Sequence, residues 1–179
     1  MKVRVDDIKE REKQLFYEEA PDAFPSLAAV TTDKFCTFIA PVTVSLTVFR
    51  EYDHIRTNGK IKTRVRMKCS RCLAEFDVDV DSSFILIYSK ANQLSNDEDE
   101  IELGDEDLIS VAYTGDEIDF SPEIAEQVIM ELPIKPLCKE DCQGLCPQCG
   151  ADLNESECGC EKSVHNLTFS ALKNFKVEK

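Results

Sequence analysis

The chain has 179 residues, with 35 acidic against 21 basic side chains and a formal net charge of −14. That length supports one hydrophobic core with a small appendage and leaves no room for a second enzyme-sized domain. The acidity argues against generic nucleic-acid binding, which must neutralise phosphates with cations, and suits a basic protein partner or a local contact patch.

The longest apolar runs, such as Phe84 to Tyr88, fall far short of the ~20 residues that span a bilayer, and Met1 to Glu10 is charged throughout. The expectation is a cytoplasmic protein with no membrane association and no signal peptide. Disulfides do not persist in that compartment, so the nine cysteines point to reduced thiolates on metal.

Met1 to Val5 alternates like a short strand, and Ile8 to Glu19 fits a helix or a strand equally. From Thr37 the pattern clears: Val42, Val44, Leu46 and Val48 alternate with Thr43, Ser45 and Thr47, the period of a half-buried strand. Glu51 to Gly59, which contains Asn58-Gly59, reads as the following turn.

Residues 60–68 place Lys60, Lys62, Arg64, Arg66 and Lys68 on one face and Ile61, Thr63, Val65 and Met67 on the other. Residues 75–82 repeat this with opposite charge: Glu75, Asp77, Asp79 and Asp81 oppose Phe76, Val78 and Val80. A hairpin centred on Cys69 to Ala74 pairs Arg66 with Asp77, Arg64 with Asp79 and Lys62 with Asp81, and Met67 with Phe76 and Val65 with Val78. One face is then apolar and the other a ladder of opposite charges, and both patterns select the same register. The basic row, with Arg71, is also a candidate nucleic-acid surface, but the carboxylates opposite its interior members favour the solvated ladder.

Residues 91–107 are rich in Asp and Glu, which repel one another and predict an acidic loop. Phe84 to Ser89 before it and Leu108 to Tyr113 after it each predict a strand. Ser121-Pro122 opens a helix, with Ser121 as cap and Pro122 at the first helical position, where its missing N–H costs nothing. Its core face is Ile124, Ala125, Val128, Ile129 and Leu132, with Met130 packing nearby, and Pro133 ends it.

Eight cysteines form four close pairs: Cys69 with Cys72, Cys138 with Cys142, Cys146 with Cys149, and Cys158 with Cys160. Four pairs make two closed tetrahedral sites, the coordination that structural zinc prefers, so two zinc ions are expected. In Cys146-Pro147-Gln148-Cys149-Gly150 the proline fixes the turn, and the glycine permits a conformation that aims N–H groups at sulfur. This is a specific zinc-knuckle sequence.

Loop-closure entropy favours joining Cys146/Cys149 to Cys158/Cys160 across eight residues, which leaves Cys69/Cys72 to meet Cys138/Cys142. The alternative has the four cysteines from 138 to 149 sharing one ion. A redox dithiol needs one pair, not four, and the strand-helix alternation of a thioredoxin fold is missing around these. Cys36, among Phe35, Phe38 and Ile39, reads as a core residue, and His54 and His165 as surface histidines. Eight thiolates close both sites, whereas catalytic zinc keeps a position open for water; no catalytic motif accompanies them, and the expectation is a protein that is not an enzyme.

The run Leu132-Pro133-Ile134-Lys135-Pro136-Leu137-Cys138, then Cys142-Gln143-Gly144-Leu145-Cys146-Pro147-Gln148-Cys149-Gly150, then Leu153-Asn154 before Cys158-Gly159-Cys160, resembles the bacterial YceD family. Cys69-Ser70-Arg71-Cys72-Leu73 and the acidic middle match it too. The resemblance implies a role in accumulation of large-subunit ribosomal RNA and so in ribosome biogenesis. The implied partners are components of the large ribosomal subunit, either ribosomal RNA or a basic ribosomal protein. The chain departs from the family pattern after Cys160, where His165-Asn166-Leu167 stands in place of a Pro-Arg pair.

The whole predicts an α+β fold: a mainly antiparallel sheet with a few helices over 1–135, carrying the charged hairpin 60–82, and a cysteine-rich zinc-binding segment with a C-terminal helix over 136–179 packed on it. The function expected is a non-enzymatic zinc-binding factor in large-subunit RNA accumulation or processing. The alternatives are a zinc protein acting directly on RNA and a thiol redox or metal-handling protein.

Overall fold

The alternation through 42–48 and 60–82 becomes a sheet with one buried and one solvated face. The structure, a computed structural model, describes residues 1–32, 36–91 and 109–160. The expectations for the acidic stretch after Ala91, for Leu108, for His165 and for the C-terminal helix lie outside those residues.

The larger sheet contains β2 (Lys13–Glu19), β4 (Val42–Glu51), β5 (His54–Lys68), β6 (Glu75–Lys90) and β7 (Ser110–Tyr113) in that spatial order, and β3 (Cys36–Phe38) pairs with the far end of β5. All these pairings are antiparallel except β6 with β7. A second, two-stranded sheet joins β1 (Lys2–Arg4) to β8 (Glu117–Asp119). Helices α1 (Pro25–Thr32) and α2 (Ser121–Glu131) complete the described architecture. This is the predicted fold class: strand-dominated and largely antiparallel, with two α-helices among the described residues.

The core gathers the inward residues Val42, Val44, Leu46 and Val48 of β4, Ile55 and Ile61 of β5, and Leu86 and Tyr88 of β6. Against them pack Phe24, Leu27, Ile118, Phe120, Ile124, Ala125 and Val128. Tyr88 and Phe120 meet edge to face with ring centroids 5.3 Å apart. A smaller cluster of Cys36, Val65, Met67, Val80 and Leu132 continues the core toward the hairpin tip, so Cys36 is the packed core residue expected.

Three local expectations need correction. The reversal after β4 is shorter than 51–59: Glu51 already pairs with His54, Tyr52 has φ 57°, and Asn58-Gly59 lies inside β5. Gly59 stands opposite Phe84, and a Cβ there would lie 2.1 Å from the ring's Cζ, so the glycine makes room for a cross-strand aromatic. Phe84 to Ser89 forms the strand expected, as part of the unbroken β6. Ser121 is the first helical residue, and the cap is supplied from before it, where Asp119 Oδ1 accepts the Ser121 N–H at 3.0 Å. Met130 is 76% exposed, because it lies two residues, or about 200°, around the helix from Val128.

The ambiguous segment before Glu19 resolves as strand β2 because β4 offers it a sheet edge over seven paired residues.

Candidate metal centres

The β5–β6 hairpin has the register read from its charges: Arg66 opposite Asp77, Arg64 opposite Asp79 and Lys62 opposite Asp81. At its tip, chain reversal is made by the first cysteine knuckle. The Cys69 N–H donates to the Ala74 carbonyl at 2.9 Å and the Leu73 N–H to the Cys69 carbonyl at 3.0 Å, with Leu73 left-handed at φ 64°. The same two bonds recur at the second knuckle, from the Cys146 N–H to the Ala151 carbonyl at 2.8 Å and from the Gly150 N–H to the Cys146 carbonyl at 2.9 Å, with Gly150 at φ 75°. The two turns are equivalent, although only the second carries the glycine that its geometry favours.

The eight paired cysteines meet as two tetrads, Cys69/Cys72/Cys138/Cys142 and Cys146/Cys149/Cys158/Cys160, with the sulfurs of each lying within 4.8 Å of one another. In the first, Cys69 and Cys142 sulfurs are 3.7 Å apart and those of Cys72 and Cys138 3.6 Å. A regular ZnS₄ tetrahedron with Zn–S near 2.3 Å has edges of about 3.8 Å, whereas a disulfide needs about 2.0 Å. All nine cysteines are free thiols. Both donor sets therefore fit a tetrahedral thiophilic cation. The partition joins local pairs at the second site and distant pairs at the first, and the cysteines from 138 to 149 divide between the two.

The first tetrad clips the hairpin tip to the segment after α2 and is sealed, with Cys69, Cys72 and Cys142 all buried; the second has Cys149 exposed. Around the first, the Ser70 N–H donates to the Pro136 carbonyl at 2.8 Å, and Phe76, Leu137 and Leu145 pack on the sulfurs.

Backbone N–H groups prepare one thiolate in each tetrad. The N–H of Cys72, with those of Cys138 and Arg71, outweighs burial and lowers the Cys69 thiol to about 6. The N–H groups of Cys149 and Gln148 do the same for Cys146, also to about 6. In contrast, burial and the sulfurs of Cys72 and Cys142 push Cys138 up to about 12, and the Cys149 sulfur together with burial pushes Cys160 up to about 12. A dication held by these cysteines would supply the positive charge that lets the remaining thiols ionise.

Arg71 has a role that its sequence context does not disclose. Its Nη1 donates to the Cys142 carbonyl at 2.7 Å and to the Glu140 carbonyl at 3.4 Å, while its own carbonyl accepts the Leu145 N–H at 3.1 Å. Gly144, at φ 75°, lies where a Cβ would come 3.0 Å from that carbonyl. Arg71 thus stitches the hairpin tip to residues 140–145. The other members of the basic row, Lys60, Lys62, Arg64, Arg66 and Lys68, each have a carboxylate within 4.0 Å. No described helix is long and apolar enough to cross a membrane.

Comparison with known proteins places these features in context. The family model described as "Large ribosomal RNA subunit accumulation protein YceD" matches residues 57–176. The chain is 28% identical over 158 residues to "Large ribosomal RNA subunit accumulation protein YCED homolog 1, chloroplastic" of Arabidopsis thaliana, covering 77% of this chain and 49% of that protein. Its Zea mays counterpart is 30% identical over 155 residues, covering 72% and 52%. An uncharacterised protein of Mycobacterium leprae is 29% identical over 119 residues, covering 64% and 50%. The chain spans about half the length of these curated relatives. No solved structure matches it significantly. The family match runs from within β5 through both cysteine tetrads over most of the chain, and the chain belongs to the YceD family.

Proposed function

We propose that this protein is a non-enzymatic zinc-binding factor of ribosome biogenesis that promotes accumulation or processing of large-subunit ribosomal RNA. The observation that carries the reading is the pair of four-cysteine tetrads in a chain of a family named for that process. Four thiolates around each ion leave no open position for water or substrate, which fits zinc as a fastener rather than a catalyst. Free thiols throughout fit the reducing cytoplasm, where ribosomes are built.

The proposed partner is a large-subunit component presenting positive charge. With a net charge of −14 and the β5 cations engaged by carboxylates, a basic ribosomal protein is favoured over bare RNA.

The test is complementation. Cells lacking the gene should show a reduced ratio of large- to small-subunit ribosomal RNA, and the wild-type gene should restore it. A Cys142→Ser variant, which opens the first tetrad, should fail to restore the ratio. Pull-down of the restored protein should recover large-subunit components. An unchanged RNA ratio in deficient cells, or full rescue by a metal-free variant, overturns the reading.

A further inference from the structure

Asn154 lies in the loop between Cys149 and Cys158, which the second tetrad closes, yet its carboxamide reaches a sulfur of the first. Its Nδ2 donates to Cys142 Sγ at 3.5 Å and to Asp152 Oδ1 at 2.7 Å, and its Oδ1 accepts the Gln143 N–H at 2.9 Å. Asp152 Oδ1 also accepts the Asn154 N–H at 2.9 Å, so the side chain that reaches the sulfur is held at both ends.

The backbone supplies a second link between the sites. Residues 144–146 pair with 151–153 through the Leu153 N–H to the Gly144 carbonyl at 2.9 Å, the Cys146 N–H to the Ala151 carbonyl at 2.8 Å and the bridge between Leu145 and Asp152. Leu145 lies on this ladder and packs on Cys69, Cys72 and Cys142. Closing the second tetrad therefore fixes the strip that presents both Leu145 and the Asn154 amide to the first.

We propose that Asn154 is a positioning residue that couples the two metal sites, so that occupation of the second tetrad strengthens metal retention by the first. The inference rests on the reading of the tetrads as zinc sites. A neutral donor against Cys142 Sγ disperses part of the negative charge that four thiolates collect around one dication. Groups in this position around metal ligands commonly change metal affinity by about 10–100-fold. Asn is suited to the position because one planar group donates to sulfur and accepts from the backbone at once. Asp keeps the acceptor and loses the donor.

The test is zinc release from the full chain to an excess of a chelating dye. Phases are assigned with Cys72→Ser and Cys160→Ser, each of which leaves one tetrad intact. Asn154→Ala should release the first-tetrad zinc about tenfold faster and leave the second-tetrad phase unchanged. Asn154→Asp should be at least as fast, because it loses the donor to the sulfur and sets a carboxylate in its place while the Gln143 contact persists. Cys160→Ser should speed the first-tetrad phase comparably, and adding Asn154→Ala to it should change little further. In the cobalt(II)-loaded protein, Asn154→Ala should shift the thiolate-to-metal charge-transfer band to lower energy, a change a purely structural role would not produce. Wild-type release rates and an unshifted band in Asn154→Ala overturn the coupling while leaving two zinc sites in place. A wild-type protein that binds no metal overturns the zinc reading and the coupling with it.

Discussion

Leu73 holds a left-handed backbone that its side chain disfavours by roughly 1–2 kcal/mol, and its equivalent in the second knuckle is Gly150. The leucine is 62% exposed, so little packing offsets that cost. Leu73→Gly should therefore stabilise the metal-loaded protein by about 1 kcal/mol in denaturant titration and leave its zinc content unchanged. A second unfavourable group lies on α2 at the edge of the core. Glu123 Oε2 and the Tyr88 hydroxyl are both shielded from solvent and interact with each other, and burial raises the Glu123 carboxyl above its ordinary value. The protonated form is the one the fold favours, so the stability it contributes is present at low pH and is lost as pH rises through the folded value. Glu123→Gln should raise stability at pH 7 by about 1 kcal/mol, and the gain over wild type should shrink on acidification toward pH 4, followed by thermal melts across that range.

At the scale of elements, the β5–β6 hairpin offers the sharpest separation of architecture from binding. Its ladder residues are exposed, and such pairs contribute little individually, so exchanging Lys62, Arg64 and Arg66 with Asp81, Asp79 and Asp77 should leave the melting temperature nearly unchanged. If the row only balances charge, the swapped protein should still restore ribosomal RNA levels and bind free RNA no worse. A folded swap variant that loses both RNA affinity and its salt dependence would identify the row as an RNA surface.

This hairpin was legible in the sequence because two independent patterns, charge and hydropathy, demanded one register. The turn before it was not, since Asn-Gly is a turn signal in isolation and only the ring of Phe84 across the strand gives Gly59 another purpose. The candidate metal sites divide similarly. Spacing and Cys-Pro-x-Cys-Gly disclosed the cysteines and their partition. The contacts of Arg71 and Asn154 gave no signal: Arg71 read as part of the basic row, and the partners of the two residues, a carbonyl and a sulfur of Cys142, lie 71 and 12 positions away. Ser121 misled as a cap because Asp119, two residues earlier, accepts the N–H instead.

For the whole molecule, the cysteine tetrads join what the core does not. The described apolar clusters hold the sheet to α1 and α2, whereas residues 138–160 contribute cysteines and Leu145 to one small cluster around the first tetrad. Structural zinc contributes about 10–16 kcal/mol in small domains near neutral pH. Chelation should therefore abolish amide protection across 136–160 while protection in β4, β5 and β6 persists, as hydrogen exchange would record. Because zinc must displace protons from thiols such as Cys138 and Cys160, its affinity should rise with pH. Acidification to about pH 5 should release it, read by dye titration.

The span of the first tetrad also sets an order of events. Cys72 and Cys138 are separated by 66 positions in the chain. At synthesis rates of about 5–20 residues per second, the hairpin knuckle emerges roughly 3–13 seconds before the cysteines that complete its site. The second tetrad needs only the short stretch from Cys146 to Cys160 and can close as soon as that stretch appears. An ion in the first tetrad could thus be held only after the sheet and α2 have brought Cys69 and Cys72 together with Cys138 and Cys142.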